Sequence, residues 1–386
     1  MHRHSVRLLR LLALTAVTVT LGAPAASAAP AAPAAPAAPA APISSHAGDS
    51  HHRTGHSDPW ILLCQRIHRV QPHLNCDQRH ERPHRRSLRQ ASSIGDVPTP
   101  TVGSGPLDIT TGPDGAMWFT ELNVAQIGRV TTTGAFTEYA LPDASSQPVG
   151  IVTGPDGNLW FVDEGLSEIG RITTDGTVTE FALSDPYAFP WDITSGPDGN
   201  LWFTEPTANK IGRITTDGTI TEYSGLADYA FPLGIASGPD GALWFTEPGS
   251  GEIGRITTDG TITETAVPTS YYSAPFDIVT GPDDKLWFTD EVGSVDSVTT
   301  GGTFTEHALS DPSSEPVGIT SGPGGKLWFI DRGTNSLGDI TTSGDVTETA
   351  LVTDDSSAYE VTTGPDGKLW ATEYGAGRIA VAVPEL

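Results

Sequence analysis

Short apolar segments alternate with turn residues along most of the chain, and the same order recurs at a fixed interval. The stretch GPDGNLWFTEPTANKIGRITTDGTITEY spans residues 196–223. Similar stretches lie at residues 112–139, 154–181, 238–265, 281–307, 322–349 and, shortened, 364–383. Their tryptophans lie 41 to 43 residues apart, at Trp118, Trp160, Trp202, Trp244, Trp287, Trp328 and Trp370. A fixed period of this length indicates a repeat architecture of seven units.

Each unit has the pattern of four β-strands. The third unit contains four segments rich in threonine, isoleucine and aromatic residues, which favour strands, at residues 191–195, 200–205, 210–215 and 219–224. The GPDG sequence at 196–199 fits a turn with proline in its second position, and Gly218 fits a hairpin turn that needs a positive φ. Residues 93–386 are therefore predicted to form an all-β fold, a seven-bladed β-propeller of four-stranded antiparallel blades.

The seventh unit lacks its outer strand. The Thr-Glu pair typical of the fourth strand occurs six times, and the last unit stops at Leu386 without it. One period before residues 136–142 lie residues 94–100. We expect residues 94–100 to complete the seventh blade and so remove an open sheet edge.

The first 92 residues have a different composition. Residues 1–28 combine three arginines, an apolar run and Ala26-Ser27-Ala28, which predicts a signal peptide and a secreted, extracellular protein. No apolar stretch is long enough for a membrane span. Residues 29–92 form an Ala/Pro-rich linker and a basic His/Arg-rich segment that we expect to be disordered. Cys64 and Cys76 form a disulfide, or the histidines bind a metal, or the segment is a cleaved propeptide.

The predicted propeller is strongly acidic. Residues 93–386 hold 10 of the 21 Lys and Arg residues but 43 of the 47 Asp and Glu residues, a formal net charge of −33. Such a surface repels nucleic acids and anionic membranes. We expect a monomer whose partners are a small molecule, a cyclic peptide or a glycan.

Two sets of residues converge on the propeller face where the first strand of each blade begins. One follows the proline that opens this strand: Leu107, Val149, Trp191, Leu233, Phe276, Val317 and Tyr359. The other is the acid three places after each tryptophan: Glu121, Asp163, Glu205, Glu247, Asp290, Asp331 and Glu373. Five of these acids are predicted to pair with the arginine of the third strand: Arg129, Arg171, Arg213, Arg255 and Arg378.

Acidic residues also suggest a cation site, with calcium or magnesium as the candidate ion and no cofactor certain. The candidate ligands are Asp277, Asp290, Glu291, Asp296, Glu360 and Glu373. Crowded carboxylates repel one another, and a hard divalent ion offsets that repulsion with oxygen ligands. A solvated acidic rim is the simpler interpretation.

The first strands begin with an acid in odd blades and a glycine in even blades, a pattern that duplication of two-blade units would explain.

Aromatic residues cluster in the connections to the first strands. The candidate ligand-binding residues are Tyr187, Phe189, Trp191, Tyr229, Phe231, Tyr271, Tyr272, Phe276 and Tyr359. Aromatic side chains on adjacent loops form a platform for sugars or a flat apolar ligand, or else pack between blades.

The repeat "GPDGxLWFTE…IGRITTDGTITEY", with strand openings such as SEPVGI and FPLGI, resembles the streptogramin B lyases, the virginiamycin B lyase family, over residues 93–386. The resemblance implies antibiotic resistance through elimination at the ester bond of a cyclic depsipeptide. It also implies magnesium held by glutamates and two histidines after the prolines of the last two blades. Here Val317 and Tyr359 stand at the histidine positions, Glu373 near one metal-ligand position and Ser357 at the other. The only histidine of the propeller, His307, is predicted in an outer strand.

Three functions remain open. A secreted propeller that binds a peptide, glycan or antibiotic-like ligand over its central channel is the first hypothesis, because the histidine pair is missing. The alternative is a carbon–oxygen lyase of the streptogramin B lyase type. Carboxylate-pair chemistry, as in glycosidases or a calcium-dependent lactonase, is the third.

Overall fold

A computed structural model describes residues 94–268 and 273–384. The signal peptide, the linker and basic segment with Cys64 and Cys76, and the pair Tyr271 and Tyr272 lie outside the described residues. The described residues form seven four-stranded antiparallel sheets, which confirms the seven-bladed propeller. Within these ranges no helix has the length and apolar character needed to cross a membrane. A single 3-10 turn, Pro323–Gly325, is the helical element of the described part.

The strands occupy equivalent places in blades one to seven. The first strands are β2 (Pro106–Thr111), β6 (Pro148–Thr153), β10 (Ile193–Ser195), β14 (Ile235–Ser237), β18 (Pro275–Thr280), β22 (Pro316–Gly322) and β26 (Ala358–Thr363). The second strands are β3 (Met117–Glu121), β7 (Leu159–Asp163), β11 (Leu201–Glu205), β15 (Leu243–Glu247), β19 (Leu286–Asp290), β23 (Lys326–Asp331) and β27 (Leu369–Glu373). The third strands are β4 (Gln126–Val130), β8 (Glu168–Ile172), β12 (Lys210–Ile214), β16 (Glu252–Ile256), β20 (Ser294–Val298), β24 (Ser336–Ile340) and β28 (Arg378–Ala382). The outer strands are β5 (Phe136–Ala140), β9 (Val178–Ala182), β13 (Ile220–Tyr223), β17 (Ile262–Ala266), β21 (Phe304–Thr305), β25 (Val346–Ala350) and β1 (Ile94–Pro98).

The propeller closes through β1. This strand pairs antiparallel with β28, so residues near the start of the described chain complete the seventh blade. Asp96 accepts hydrogen bonds from Arg378 at 2.7 Å and from Thr353 at 2.6 Å. The first strands of neighbouring blades contact one another all the way around the axis, including β26 with β2.

The second strands form the core between blades. All five residues of β3, β7, β11, β15, β19 and β27 are buried. In blades one to four and six the phenylalanine beside the tryptophan faces a glycine of the third strand, and a Cβ on Gly128 would lie 2.1 Å from the ring of Phe119. In blade five Phe288 faces Asp296. Buried threonines join successive blades; for example, the Thr120 hydroxyl donates to the Val149 carbonyl at 2.7 Å. The conserved spacing of the repeat thus follows from packing rather than chemistry.

The predicted pairing between third-strand arginines and the acids after each tryptophan is wrong in blades one to four. Arg129 lies directly opposite Trp118, and its guanidinium bonds Asp114 of the preceding turn at 2.6 Å. The same turn aspartate accepts the indole N–H of Trp118 at 3.0 Å. Because side chains alternate between faces of a strand, Trp118 and Glu121 point to opposite faces, so Arg129 cannot reach Glu121.

Three other arginines follow the same rule: Arg171, Arg213 and Arg255 pair with the turn aspartates Asp156, Asp198 and Asp240. Arg378 differs, because it lies directly opposite Glu373, whose pKa its charge lowers, and it bonds Asp96. Blade six reverses the charges: Lys326 bonds Asp339, which stands at the arginine position, at 2.7 Å. The unusual Asp339 therefore has a partner within its own blade.

Candidate functional site

Seven residues at equivalent positions near the start of the first strands meet at the axis, and we call them the axial plug; six follow a proline and Tyr359 follows Ala358. They are Leu107, Val149, Trp191, Leu233, Phe276, Val317 and Tyr359. Trp191 is 6% exposed, and Phe276 and Tyr359 are each 4% exposed. The Phe276 ring meets Trp191 edge to face at 6.4 Å between centroids and Tyr359 at 5.8 Å. These three aromatic rings contact one another across blades three, five and seven, and they do not form an open platform.

A cavity of about 270 Å³ lies in the channel beside the axial plug. Four half-buried acids line it, and we call them the channel carboxylates: Asp108, Asp192, Asp277 and Glu360. A bulge where the first strand meets the second, as between Pro106 and Ile109, allows two consecutive residues to line the channel. The remaining walls are largely aliphatic, with isoleucines from most blades.

Backbone amides satisfy the channel carboxylates. Asp108 accepts from the Ile109 amide at 2.6 Å and from the Ile151 amide of the next blade at 2.5 Å. Asp192 and Asp277 repeat this arrangement across the next two pairs of blades. Glu360 accepts only from its own neighbour, the Val361 amide, at 3.0 Å. Each aspartate therefore joins an odd blade to the even blade that follows it.

This bridging explains the alternation of acid and glycine. A Cβ on Gly150 would lie 2.9 Å from the Cα of Asp192, and one on Gly234 would lie 2.8 Å from the Cα of Asp277. A Cβ on Gly318 would lie 2.6 Å from both carboxylate oxygens of Glu360. Even blades have no room for a side chain here, so packing maintains the pattern whatever its evolutionary origin.

Burial makes the channel carboxylates weak acids. It raises the pKa of Asp108 to about 6 and that of Asp277 to about 7. Burial, followed by the charges of Asp277 and Asp108, raises the pKa of Asp192 and of Glu360 well above the ordinary range. The four groups therefore share protons near neutral pH and do not carry four full charges.

The loops before β10 and β14 carry the exposed aromatic residues at this end of the channel. Each contains a Tyr-Ala-Phe sequence in which the alanine is fully buried. Tyr187 is 68% exposed and Tyr229 is 46% exposed, whereas Phe231 is buried. Phe189 and Phe231 adopt left-handed backbone conformations, with φ of 47° and 52°. Such φ values are unusual for bulky residues and occur where surrounding structure enforces them, often at ligand sites.

Matching contacts hold these two loops in place. The Phe189 amide donates to the Ser167 hydroxyl at 3.3 Å, and the Phe231 amide donates to the Asn209 side-chain oxygen at 3.1 Å. Gly249 packs so closely that a Cβ there would lie 2.0 Å from the Tyr229 carbonyl oxygen. The exposed tyrosines therefore project from fixed loops.

The structure separates the six predicted metal ligands. Asp277 and Glu360 lie in the channel, away from the acids at the ends of the second strands. Asp290 accepts from the Ser273 hydroxyl and the Ala274 amide. Asp296 accepts from the His307 amide, and burial together with the charge of Asp290 raises its pKa to about 7.

The other two predicted ligands lie beside protein cations. Glu291 bonds Arg332 at 3.0 Å, and the Arg332 guanidinium also lies 5.7 Å from the centre of the Tyr359 ring. Glu373 is buried in blade seven, and burial is the main reason that its pKa rises to about 7. The charge of Asp96 also raises this pKa, whereas the charge of Arg378 lowers it. The sequence did not indicate that Arg332 lies beside Tyr359, because the two residues belong to different blades.

His307 has a structural role in the outer half of blade five. Its ring stacks on Trp287 with centroids 5.1 Å apart and planes 12° apart. Tyr139, Phe181 and Tyr223 make the same stack on the tryptophans of blades one to three. Burial lowers the pKa of His307, so the ring is neutral at physiological pH. This histidine replaces an aromatic residue of the repeat and lies far from the axial plug.

Fold and site together define an all-β propeller whose axis is filled by apolar side chains and whose loops before β10 and β14 expose tyrosines. The sequence profile of the Virginiamycin B lyase family matches two overlapping stretches, residues 84–316 and 193–385. This chain therefore belongs to the virginiamycin B lyase family.

Solved structures and a curated relative agree with this family. Selenomethionine-substituted virginiamycin B lyase from Staphylococcus aureus is 34% identical, with a TM-score of 0.72, over 75% of this chain and 99% of that chain. A catalytically inactive histidine-to-alanine variant of the S. aureus lyase, solved with quinupristin, gives the same values. Virginiamycin B lyase from Nocardia farcinica (strain IFM 10152) is 50% identical over 44 residues, 11% of this chain and 15% of that lyase.

The residues at the family's metal-ligand and histidine positions do not fit a magnesium ion. Val317 is fully buried in the axial plug and offers no ligand atom, and Tyr359 packs against Phe276. Glu373 ends the second strand β27 and lies opposite Arg378, which already supplies a positive charge. With one carboxylate and no imidazole, this donor set does not form the expected magnesium site.

Proposed function

We propose that this protein is a secreted, non-catalytic member of its family that binds a cyclic peptide of the antibiotic type at the mouth of its channel. One observation carries the proposal: Tyr187 and Tyr229 project from two matching loops whose phenylalanines are held at positive φ. Exposed aromatic side chains on rigid loops bind flat or apolar ligand surfaces with little loss of conformational entropy.

The charge of the domain favours a neutral or cationic ligand. Residues 93–386 carry a formal net charge of −33, so an anionic ligand would be repelled. The S. aureus relative was solved with quinupristin, which makes this compound the natural first probe. Glycans are the second ligand class for an aromatic surface, and a screen of soluble oligosaccharides distinguishes the two.

Catalysis is the weaker candidate because the site has no general base at the positions that the family uses. Loss of a positioned general base typically costs about 10²–10⁴ in rate. A lyase reaction remains the second candidate function, because this chain is 34% identical to an S. aureus lyase over 99% of that protein. In that case a carboxylate would have to remove the proton, and Glu360, next to Tyr359, is the nearest in sequence.

Calorimetric titration of the purified protein with quinupristin, with and without magnesium, tests binding. Tyr187→Ala combined with Tyr229→Ala should lower the affinity about tenfold or more, because each aromatic contact contributes about 0.5–1.5 kcal/mol. Val346→Ala, on the outer strand β25, is the matched control and should leave the affinity unchanged. An affinity that does not respond to the double substitution would exclude these loops as the binding surface.

Chromatography with mass spectrometry of the same mixtures tests the reaction. Elimination leaves the mass of the antibiotic unchanged but shifts its retention, whereas hydrolysis adds one water. We expect unmodified quinupristin after prolonged incubation. Robust magnesium-dependent linearisation would establish the lyase reaction and refute the non-catalytic proposal.

A further inference from the structure

Three glutamates meet at one end of blade four, and we call them the blade-four glutamates. Glu247 ends β15, Glu252 begins β16 and Glu264 lies in β17, and one carboxylate oxygen from each lies within 4.8 Å of the other two. Glu247 is fully buried, and neither of its carboxylate oxygens has a hydrogen-bond partner among the described residues. A buried carboxylate without such partners is costly unless a cation accompanies it.

Blade three has a cation at the equivalent place, although both carboxylate oxygens of Glu205 also lack a hydrogen-bond partner within the described part of the chain. There the residue opposite Glu205 is Lys210, whose ammonium bonds Glu222 at 2.8 Å. Blade four has Glu252 where blade three has Lys210, because Glu252 lies opposite Glu247 in the same register. The cation of blade three is thus replaced by a third carboxylate.

Blade seven has an arginine at the equivalent position. Arg378 lies opposite Glu373 and bonds Asp96 at 2.7 Å. In both blades the opening residue of the third strand supplies the positive charge that blade four lacks.

No basic side chain of the surrounding sequence compensates blade four. Residues 214–284 contain a single basic residue, Arg255, and no histidine. Arg255 bonds Asp240 at 2.7 Å on the opposite face of the blade from Glu247. Glu264 has one partner of its own, the Ala227 amide, which donates to it at 2.6 Å. Burial and the adjacent Glu264 raise the pKa of Glu247 to about 9, which shows how poorly the protein alone stabilises its charge.

We propose that the blade-four glutamates bind a calcium ion. Calcium takes oxygen ligands at about 2.3–2.6 Å, so opposite ligands of one ion lie about 4.6–5.2 Å apart. Magnesium, at about 2.0–2.1 Å, brings opposite ligands to about 4.0–4.2 Å and demands regular octahedral geometry. Oxygens within 4.8 Å of one another are close enough for one ion to contact all three, and calcium tolerates irregular geometry better than magnesium. The half-buried Glu252 and Glu264 leave room for coordinating water. This site is separate from the channel mouth and from the position of the family's metal.

Thermal unfolding of the full-length protein tests the proposal. At pH 8, millimolar calcium should raise the melting temperature by about 2–4 °C above sodium chloride of equal ionic strength, since a bound ion stabilises the folded state by mass action. Magnesium should give a smaller rise. Calorimetric titration with calcium chloride should show one site per chain.

Two substitutions locate the site. Glu252→Lys installs the arrangement of blade three, so it should raise the melting temperature in the absence of calcium and abolish the calcium response. Glu205→Gln removes the equivalent buried carboxylate from blade three, where Lys210 already supplies the charge, and should leave the calcium response intact. Equal effects of calcium and sodium on the wild-type protein would overturn the proposal. So would a full calcium response in a folded Glu252→Lys variant.

Discussion

Trp191 and Phe276 meet edge to face in the axial plug, with their ring centroids 6.4 Å apart, although they belong to blades three and five. Phe276 also contacts Tyr359 of blade seven. Phe276→Ala removes the central member of this trio and should lower the free energy of unfolding by about 3–5 kcal/mol, the range typical of a buried phenylalanine. Urea unfolding followed by circular dichroism measures the change.

Phe276→Leu is the matched control for this prediction. Leucine fills most of the same volume, so it should cost clearly less than alanine. A loss below about 1 kcal/mol for the alanine variant would mean that the three rings contribute little to packing and that the channel mouth can open.

Gly234 should not tolerate even a methyl group. A Cβ there would lie 2.8 Å from the Cα of Asp277 and 2.9 Å from the Phe276 carbonyl oxygen, and backbone atoms cannot move aside cheaply. We expect Gly234→Ala to destabilise the protein by about 1–3 kcal/mol, as overpacking does. Gly95→Ala is the control, because a Cβ at Gly95 has no neighbour within 4 Å. Equal melting temperatures for the two variants would refute the packing account of the alternation.

Stability should depend on pH through Glu205. Burial, then the charge of Glu222, raises the pKa of this carboxyl from 4.5 to about 8 in the folded protein. The folded state therefore holds the proton more tightly than the unfolded chain, so this contribution to stability is complete below about pH 4.5. It is lost progressively as the pH rises toward 8.

Glu205→Gln removes the titrating carboxyl, so comparison with the wild type isolates the contribution of Glu205 to the pH dependence of stability. The variant should melt at a higher temperature than the wild type at pH 8.5, and the difference should shrink or vanish near pH 5. Thermal unfolding between pH 5 and 8.5 measures both. A difference that is constant with pH would show that Glu205 does not titrate in this range.

The repeat made the fold predictable from the sequence. The contacts between side chains were not predictable in the same way. Seven tryptophans at a period near 42 residues set the blade number, and the structure confirms it. The sequence also showed that Arg129 recurs with Glu121, but recurrence does not reveal which face of a strand each occupies. Strand alternation places Arg129 on the face of Trp118, where it bonds Asp114. A stricter use of the two-residue period would have found this pairing.

The site was harder to predict because its residues come from different blades. The sequence indicated aromatic residues near the channel, but Trp191 and Phe276 contact each other across the axis while Tyr187 remains exposed. Such a division depends on the diameter of the channel, which no local pattern encodes. The sequence did contain an indication of the blade-four glutamates, because residues 214–284 hold no basic residue other than Arg255.

The pairing of β1 with β28 should be essential to stability. A chain that begins at Pro106 lacks β1 and therefore lacks Asp96, the partner of Arg378 and Thr353. It would expose the edge of β28, so we expect a lower melting temperature and some self-association. A chain that begins at Ala91 is the control. Equal melting temperatures in the two chains would show that β1 contributes nothing to closure.

His307 should behave as a stacking residue and not as a catalytic one. Its ring lies on Trp287 at 5.1 Å, the arrangement that Tyr139 and Tyr223 make on their own tryptophans. His307→Tyr restores the residue of the repeat, so it should preserve or raise the melting temperature. His307→Ala removes the stack and should cost about 0.5–1.5 kcal/mol beyond the area lost. Neither substitution should change the affinity for quinupristin measured by calorimetry. Loss of binding in a stably folded His307→Tyr variant would contradict the structural role and link the outer strand of blade five to the ligand site.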